Sequence, residues 1–275
     1  MQKKLFFSDI DGTLLRSDGT ISDTLADALR SLAASGHSLI LTSGRPLHSI
    51  MGVQEYLNQT LGLSFDDSFI IANNGALIYD CAAGKPVFEK TIPMEDVDIL
   101  QHAAQQLGIH IQTYTKDAIV CRQQSEEINY YRRRIKLPLL TGEKFTDILS
   151  EEPYKMLAIS LSGIQQLLPL KDYIETSLPD RVQAIFSNDH YMELIHKDAG
   201  KGKALAYLCD YLSVPLKNSF AAGDSENDIS MLRAAGCGYA MACGDDRVKS
   251  SADRITSLDC EHDGLLEIID AMLQT

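Results

Sequence analysis

Two aspartates stand two residues apart near the beginning of the chain, where an apolar run stops. Residues 5–8 (Leu-Phe-Phe-Ser) have the length and composition of a buried strand, and Asp9-Ile10-Asp11-Gly12-Thr13 follows as a turn-forming sequence. Residues i and i+2 of an extended strand face the same side, so both carboxylates are expected to project into one site from the carboxyl end of the strand. Gly12 permits a tight turn that brings the backbone close to a ligand, and Thr13 adds a hydroxyl.

An acidic turn and a calcium loop are the alternatives to a pair of carboxylates that share a functional site. An EF-hand loop carries oxygen ligands at further fixed positions and a bidentate glutamate at the twelfth. If Asp9 is counted as the first position, the twelfth is Thr20, which has no carboxylate. The calcium loop is therefore set aside. Whether the two aspartates form only an ordinary acidic turn depends on the residues that accompany them.

Polar residues follow three other apolar runs of the chain. Ser43, Asn74 and Asp224 each come after a segment of strand length. Open parallel sheets bind ligands just beyond the carboxyl ends of their strands, so the four strand ends are expected to converge on one crevice. Ser, Asn, Asp and Gly are also the usual loop residues, so any single break could be ordinary turn chemistry. That interpretation does not account for acidic residues, a hydroxyl and a lysine at the same edge.

Asp224 lies in a second acidic segment, Gly223-Asp224-Ser225-Glu226-Asn227-Asp228, at a predicted transition from strand to helix. Acidic residues at a helix N-terminus commonly complement the helix dipole, and here the capping and metal-binding interpretations coexist. Mg²⁺ prefers octahedral oxygen ligation with few carboxylates and several waters. Asp9, the backbone carbonyl of Asp11 and Asp224 would supply such ligands, so the sequence predicts a magnesium site.

Lys201 stands between Gly200 and Gly202, where a helix is predicted to begin. The Gly-x4-Gly-Lys-Ser/Thr pattern of a P-loop is absent here, and so is the Gly-x-Ser-x-Gly pattern of a serine hydrolase. Most lysines at helix starts are solvated surface residues. The flanking glycines nevertheless let the backbone approach closely, which favours a phosphate contact for Lys201 over the neighbouring Lys203.

Short apolar runs alternate with amphipathic helical stretches at both ends of the chain, and one such helix is predicted between Ser22, a good N-cap, and Gly36. This alternation predicts an α/β fold with a mostly parallel, doubly wound sheet. The middle of the chain instead combines helices with alternating or exposed strands, which predicts an inserted α+β domain. We therefore predict a core formed by residues 1–82 and 191–275, and an insertion formed by residues 83–190.

Composition and charge restrict the partners of the protein. The chain of 275 residues is 45% hydrophobic, which is ordinary for a folded globular protein. Its formal net charge of -13 opposes binding to nucleic acid, although a metal ion and a lysine can reverse the field locally for a small phosphorylated ligand. The six cysteines form no CxxC pair, and no apolar stretch is long enough to span a bilayer. We expect a cytoplasmic protein with free thiols and with neither nucleic acid nor membrane as a partner.

Short motifs along nearly the whole chain form one recognisable set. They are Asp9-Ile10-Asp11-Gly12-Thr13-Leu14-Leu15, Leu41-Thr42-Ser43-Gly44-Arg45-Pro46, Asn74-Gly75-Ala76, Lys201-Gly202, Gly223-Asp224-Ser225-Glu226-Asn227-Asp228-Ile229-Ser230-Met231-Leu232, Ala240-Met241, Val248-Lys249 with Ala252-Asp253, and Asp263-Gly264. In this order they resemble the haloacid dehalogenase superfamily of phosphohydrolases, specifically its Cof-type branch with a class IIB α/β cap. The resemblance implies a Rossmann-like core, with the insertion as the cap that sets substrate specificity.

The resemblance also implies a magnesium-dependent phosphatase that acts on a small phosphorylated metabolite such as a sugar phosphate. Asp9 would be the nucleophile that forms an aspartyl phosphate. Asp11 would protonate the departing alcohol and then remove a proton from the hydrolytic water.

The remaining roles that the resemblance implies concern binding. The phosphate would be bound by Ser43, Gly44, Lys201 and Asn227. The Mg²⁺ ligands would be Asp9, Asp11 and Asp224, with Asp228 and Asn227 supporting the site. One departure is Cys243-Gly244, which stands where the family usually has asparagine and alanine.

Two other functions fit the same motifs. A sugar phosphomutase can share this core and cap but returns the phosphoryl group to its substrate, so it releases an isomerised sugar phosphate and no free phosphate. A phosphometabolite-sensing protein would bind its ligand with little turnover, and the intact Asp11 and Lys201 argue against it. The sequence does not specify the metabolite, and we expect a monomer or a weak homo-oligomer.

Overall fold

The structure is a computed structural model that describes residues 2–62, 68–133 and 135–274. The strands and helices follow along the chain as β1 (Leu5–Ser8), α1 (Asp23–Ala34), β2 (Ser38–Thr42), α2 (Leu47–Leu61), β3 (Phe69–Ala72), β4 (Leu77–Asp80), β5 (Lys85–Glu89), α3 (Met94–Gln106), β6 (His110–Tyr114), β7 (Ile119–Cys121), α4 (Glu126–Tyr131), β8 (Leu139–Thr141), β9 (Lys155–Ile159), α5 (Leu168–Ser177), β10 (Val182–Asn188), β11 (Tyr191–His196), α6 (Lys201–Tyr211), β12 (Ser219–Gly223), α7 (Ile229–Ala234), β13 (Cys237–Ala240), α8 (Asp246–Lys249), β14 (Arg254–Ile255) and α9 (Leu266–Gln274). Short 3-10 helices lie at Asn73–Gly75, Phe145–Asp147, Ile164–Gln166, Leu216–Asn218, Glu226–Asp228 and Cys260–His262. None of the described helices is long and apolar enough to cross a membrane.

The first sheet has eight strands in the order β14-β13-β12-β1-β2-β3-β4-β5. The strands from β14 to β3 run parallel to their neighbours, whereas β4 and β5 add antiparallel pairs at one edge. Phe6 of the central strand β1 lies opposite Phe220 of β12 on one side and Leu39 of β2 on the other. This register aligns the carboxyl ends of β12, β1, β2 and β3 along one edge of the sheet.

Both faces of this sheet are covered, which explains why its central strands are apolar throughout. The strands β1 and β2 are buried at every position. Leu5 and Phe7 belong to the same apolar cluster as Leu205 of α6, and Phe6, which points to the opposite face, is also fully buried. The predicted doubly wound, mostly parallel sheet is therefore confirmed.

The second sheet has six strands in the order β10-β11-β9-β6-β7-β8, and its pairs are antiparallel except for β7 with β8. The helices α3 and α5 supply Leu100 and Ile174 to an apolar cluster that includes Met156 of β9. The next residue of that strand, Leu157, faces the other way and packs in a separate cluster with Ile128 of α4. The predicted α+β character of the insertion is confirmed.

The chain divides into two compact units. The core unit comprises the residues up to Glu89 and from Ala199 onward, and the inserted unit comprises Lys90–Asp198. Both boundaries lie later in the chain than the sequence predicted, because strand pairing decides which unit each boundary strand belongs to. The strand β5 belongs to the core unit because it pairs with β4, and β11 belongs to the inserted unit because it pairs with β9 and β10.

Candidate active site

The carboxyl ends of four parallel strands carry the polar residues that the sequence singled out. Asp9 follows β1 and donates its backbone N–H to the carbonyl of Ala222 in β12 at 3.0 Å. Ser43 follows β2, and Asp224 follows β12. Because β12, β1 and β2 are adjacent in the sheet, these residues lie at one edge, the place where open parallel sheets bind ligands.

Lys201 connects two of the carboxylates at this edge. Its Nζ donates to Oδ1 of Asp9 and to Oδ1 of Asp228, each at 2.6 Å. All three residues are buried, with 1% of Lys201, 6% of Asp9 and none of Asp228 exposed. The solvated-lysine interpretation is therefore excluded for Lys201, which is a constituent of the acidic site.

The start of α6 positions Lys201. The helix is pressed against α7 so closely that a Cβ added to Gly202 would lie 2.1 Å from the carbonyl oxygen of Ser230. Only glycine permits this approach, since real side chains do not tolerate such a distance. The first residue of α6 is thereby brought into the interior of the core unit, where its ammonium group meets Asp9 and Asp228.

Asp224 is fixed by hydroxyl groups from two loops. Thr13 Oγ1 donates to its Oδ1 at 3.1 Å, and Ser225 Oγ donates to its Oδ2 at 3.0 Å. The backbone around it is fixed by Asp228, whose Oδ2 accepts from the N–H groups of Asp224 and Ser225 at 3.1 and 3.0 Å. Asp228 therefore anchors both the loop and Lys201, and both of its oxygens are engaged.

Carboxylate oxygens of Asp9, Asp224 and Asp228 lie within 4.8 Å of one another, and we call these three residues the acidic cluster. Burial raises the pKa of Asp9 well above its ordinary value. The attraction of Lys201 acts in the opposite direction, but repulsion from Asp228 and Asp224 offsets it. Burial, followed by repulsion from Asp228, raises the pKa of Asp224 to about 6. Burial alone would lower the pKa of Lys201, but Asp228 and Asp9 raise it, so the ammonium group stays charged.

The charge and the donor set of the acidic cluster fit a divalent cation. Three carboxylates face a single ammonium group, and the resulting excess of negative charge is what an ion such as Mg²⁺ would balance. Asp9 and Asp224 are the residues that would hold the ion, since Lys201 and two backbone N–H groups already occupy Asp228.

Asp11 does not belong to the acidic cluster. Its side chain is 63% exposed, and both of its carboxylate oxygens accept hydrogen bonds from the Arg45 guanidinium, at 2.7 Å from Nε and 2.5 Å from Nη2. A metal-ligand role for this residue rests on its backbone carbonyl, as the sequence suggested, and stays a prediction. The acid–base role of its carboxylate also stays a prediction.

The predicted phosphate-binding residues Ser43 and Asn227 are linked through Asn74. The carbonyl of Ser43 accepts from the Asn74 backbone N–H at 3.0 Å, and Asn227 Nδ2 donates to Asn74 Oδ1 at 2.9 Å. Gly44 packs directly on the same amide, because a Cβ added there would lie 3.1 Å from Asn74 Oδ1. The structure thus brings Ser43, Gly44 and Asn227 together around Asn74, and their contact with phosphate stays a prediction.

Sequence reasoning missed three features of this site. It gave Asp228 only a supporting role, although helix-start acids that follow a buried strand are candidates for a buried anchor. It gave Arg45 and Asn74 no role, although both lie in motifs at strand ends. Cys243, the departure from the family pattern, lies with its Sγ 3.5 Å from the carbonyl oxygen of Gly12.

Comparison with known proteins finds relatives that match nearly the whole chain. The sequence profile of the haloacid dehalogenase-like hydrolases matches residues 6–269. Phosphatase YwpJ of Bacillus subtilis is 29% identical over 289 residues, covering 94% of this chain and 96% of that protein. The 5-amino-6-(5-phospho-D-ribitylamino)uracil phosphatase YitU of the same organism is 27% identical over 275 residues, covering 95% and 94%. A crystal structure of a haloacid dehalogenase-like hydrolase from Bacteroides thetaiotaomicron is similar at a TM-score of 0.82 and 27% identity, covering 98% of this chain and 100% of that one.

The chain therefore belongs to the haloacid dehalogenase-like hydrolase family. Within that family it is a Cof-type phosphohydrolase, an enzyme that hydrolyses phosphoric monoesters. The resemblance drawn from the sequence motifs is confirmed.

Proposed function

We propose that this enzyme is a magnesium-dependent phosphatase that transfers the phosphoryl group of a small phosphorylated metabolite to Asp9. The observation that carries the proposal is the buried contact of Lys201 with Asp9, beside Asp224 in the acidic cluster. An acidic cluster alone would repel an incoming phosphate dianion. A lysine and a metal ion at one of its carboxylates reduce that repulsion.

The first chemical step forms a bond between a carboxylate oxygen of Asp9 and phosphorus. Lys201 fixes Oδ1 of that carboxylate, and within the described part of the chain no hydrogen bond engages Oδ2, which is the nucleophilic atom in our proposal. Ser43, the backbone N–H of Gly44, Lys201 and Asn227 bind the phosphate oxygens. Bound Mg²⁺ would neutralise charge on the phosphate and on Asp9.

Asp11 handles the protons of both steps. As the bond between phosphorus and the leaving oxygen breaks, Asp11, which enters this step as the protonated carboxylic acid, donates its proton to that oxygen, so the alcohol departs neutral and Asp11 is left as a carboxylate. Water then attacks phosphorus while Asp11 takes back a proton, and the bond from phosphorus to Asp9 breaks. Free phosphate is released, Asp9 returns to a carboxylate and Asp11 returns to its protonated form. The Asp11 carboxylate lies outside the acidic cluster and pairs with Arg45, so neither Lys201 nor the proposed metal ligands engage it.

The substrate is proposed to be a phosphorylated metabolite with a hydroxylated leaving group, such as a sugar phosphate. This class is supported by the name of the related YitU, whose substrate contains a phosphorylated ribityl chain. We attribute selection of the leaving group to the inserted unit, because the residues assigned to the chemistry all belong to the core unit.

The test is phosphate release from a panel that contains ribose 5-phosphate, glucose 6-phosphate, glycerol 3-phosphate and 4-nitrophenyl phosphate. We expect Mg²⁺-dependent turnover that falls by at least about 10³-fold in Asp9→Asn, which removes the nucleophile and preserves the shape of the side chain. Asp246→Asn, an exposed change in the first turn of α8, is the matched control and should leave turnover unchanged. Isomerised sugar phosphate without free phosphate would instead establish a mutase, and binding without turnover would establish a sensor.

A further inference from the structure

Arg45 is tied to the proposed acid–base residue by a two-pronged ion pair. Nε donates to Oδ2 of Asp11 at 2.7 Å, and Nη2 donates to Oδ1 at 2.5 Å. Two parallel charge-assisted hydrogen bonds from a planar guanidinium fix the direction of a carboxylate as well as its location. The orientation of the Asp11 carboxylate is therefore set by Arg45.

The backbone of Arg45 is itself anchored to neighbouring parts of the site. Its N–H donates to Ser43 Oγ at 3.2 Å, and its carbonyl accepts from the N–H of Asn73 at 3.0 Å. Its side chain is 31% exposed, which is half the exposure of its partner. Arg45 thus holds Asp11 from a fixed base that includes the predicted phosphate-binding loop.

Without Arg45, the geometry would leave Asp11 free to rotate. Its side chain is 63% exposed, and the hydrogen bonds that its carboxylate accepts from described residues both come from Arg45. An exposed aspartate samples about three χ1 wells, of which a proton transfer to a particular leaving oxygen uses one. Proton transfer also requires hydrogen-bond contact with that oxygen, so misdirected conformers contribute nothing.

We propose that Arg45 is a positioning residue that holds the Asp11 carboxylate in the orientation from which it exchanges protons with the leaving group and the hydrolytic water. This inference rests on the proposed function of Asp11. It assigns a role to the third residue of the Ser43-Gly44-Arg45 motif, whose first two residues are the predicted phosphate ligands.

The leaving group provides the first readout. A sugar alcohol needs a proton to depart, whereas 4-nitrophenolate departs without one, and kcat/KM reports only the steps up to that departure. In Arg45→Gln we expect kcat/KM to fall about 10–100-fold on the best sugar phosphate of the panel, which is a part of the roughly 10²–10⁴-fold that general acid–base catalysis supplies, and less than about threefold on 4-nitrophenyl phosphate. Hydrolysis of the phosphorylated Asp9 also needs Asp11, so the variant should show a pre-steady-state burst of nitrophenolate.

The second readout is a double-mutant cycle. If Arg45 acts through Asp11, then Arg45→Gln made in the Asp11→Asn background should lower kcat/KM on the sugar phosphate by less than about twofold, because residues that act as a unit are not additive. Arg16→Gln is the matched control, since it removes an arginine of the core unit that is 30% exposed and paired with Asp263 at 3.0 Å. Arg16→Gln should leave unchanged the ratio of kcat/KM on the sugar phosphate to kcat/KM on 4-nitrophenyl phosphate. Arg45→Lys keeps the positive charge but cannot make the two parallel hydrogen bonds of a guanidinium. Its ratio of kcat/KM values should lie between those of the wild type and Arg45→Gln.

Two results would overturn the inference. One is equal loss on both substrates in Arg45→Gln and Arg45→Lys, and the other is a full additional loss when Arg45→Gln is combined with Asp11→Asn. Either result, obtained with an active wild type and an impaired Asp11→Asn, removes the role of Arg45 and leaves the proposed function intact. A wild type that releases no phosphate, or an Asp11→Asn variant of normal activity on sugar phosphates, would instead overturn the proposed function.

Discussion

Gly12→Ala perturbs the acidic cluster from a neighbouring turn. Gly12 has a φ of 77°, a left-handed conformation that L-residues rarely adopt. A Cβ added there would lie 2.7 Å from Oδ2 of Asp224, so the carboxylate would have to retreat by several tenths of an ångström. Gly19 is the matched control, because it has a similar φ of 82° and no heavy atom within 4 Å of the added Cβ.

The expected magnitudes follow from this difference. Both substitutions incur the cost of a left-handed L-residue, about 1–2 kcal/mol. Only Gly12→Ala also strains the hydrogen bonds that Asp224 accepts from Thr13 and Ser225, and a bond to a charged group contributes about 1.5–3 kcal/mol. We therefore expect a loss of about 2.5–5 kcal/mol for Gly12→Ala and about 1–2 kcal/mol for Gly19→Ala.

Calorimetry and a magnesium titration measure the two consequences. At about 2–4 °C per kcal/mol, the transition of the core unit should shift down by roughly 5–20 °C in Gly12→Ala and by roughly 2–8 °C in Gly19→Ala. The Mg²⁺ concentration for half-maximal turnover should rise only in Gly12→Ala, because only there is Asp224 displaced. Equal shifts and an unchanged magnesium requirement in both variants would refute the close packing of Gly12 on Asp224.

Three further outcomes are expected. Asp228→Asn leaves Lys201 without one of its two charged partners, so the free energy of unfolding should fall by about 3–5 kcal/mol in urea titrations, and an unchanged midpoint would contradict the anchoring role. Since the pKa of Asp224 is raised to about 6 in the folded protein, its stabilising contribution is complete at low pH and is lost as pH rises from about 4 to about 6. Melting curves of the metal-free protein should show that loss, and Asp224→Asn should flatten it. Chelation by EDTA should abolish turnover, and Asp224→Ala should raise the Mg²⁺ requirement at least about tenfold, whereas metal-independent hydrolysis would contradict the proposed cofactor.

Much of the fold could be predicted from the sequence because the local signals agree with the tertiary structure. Helix α1 begins after Ser22, whose Oγ accepts from the Leu25 N–H at 2.9 Å, and Gly36 beyond its end has the left-handed φ of 78°. The apolar runs before Asp9 and Ser43 are buried parallel strands, as their composition indicated. Where a strand is apolar on both faces and ends abruptly, the pattern predicts a strand that is covered on both faces and a site at its carboxyl end.

What could not be predicted depends on pairing between distant segments. The strand β11 has an apolar sequence that suits either sheet, and only its hydrogen bonds to β9 and β10 assign it to the inserted unit. The contact of Lys201 with Asp228 depends on how closely α6 approaches α7. The ion pair of Arg45 with Asp11 spans two loops, and no spacing in the sequence specifies which acid an arginine will meet.

The central claim is that Asp9 carries the phosphoryl group, and trapping that group tests it most directly. Acid quench of the enzyme during turnover of 4-nitrophenyl phosphate, followed by mass spectrometry of peptides cut at low pH, should find one phosphoryl group on the peptide that contains Asp9. The adduct should accumulate further in Asp11→Asn, which lacks the base for its hydrolysis, and should be absent from Asp9→Asn. Sustained phosphate release by the wild type with no adduct on that peptide in either the wild type or Asp11→Asn would contradict the account.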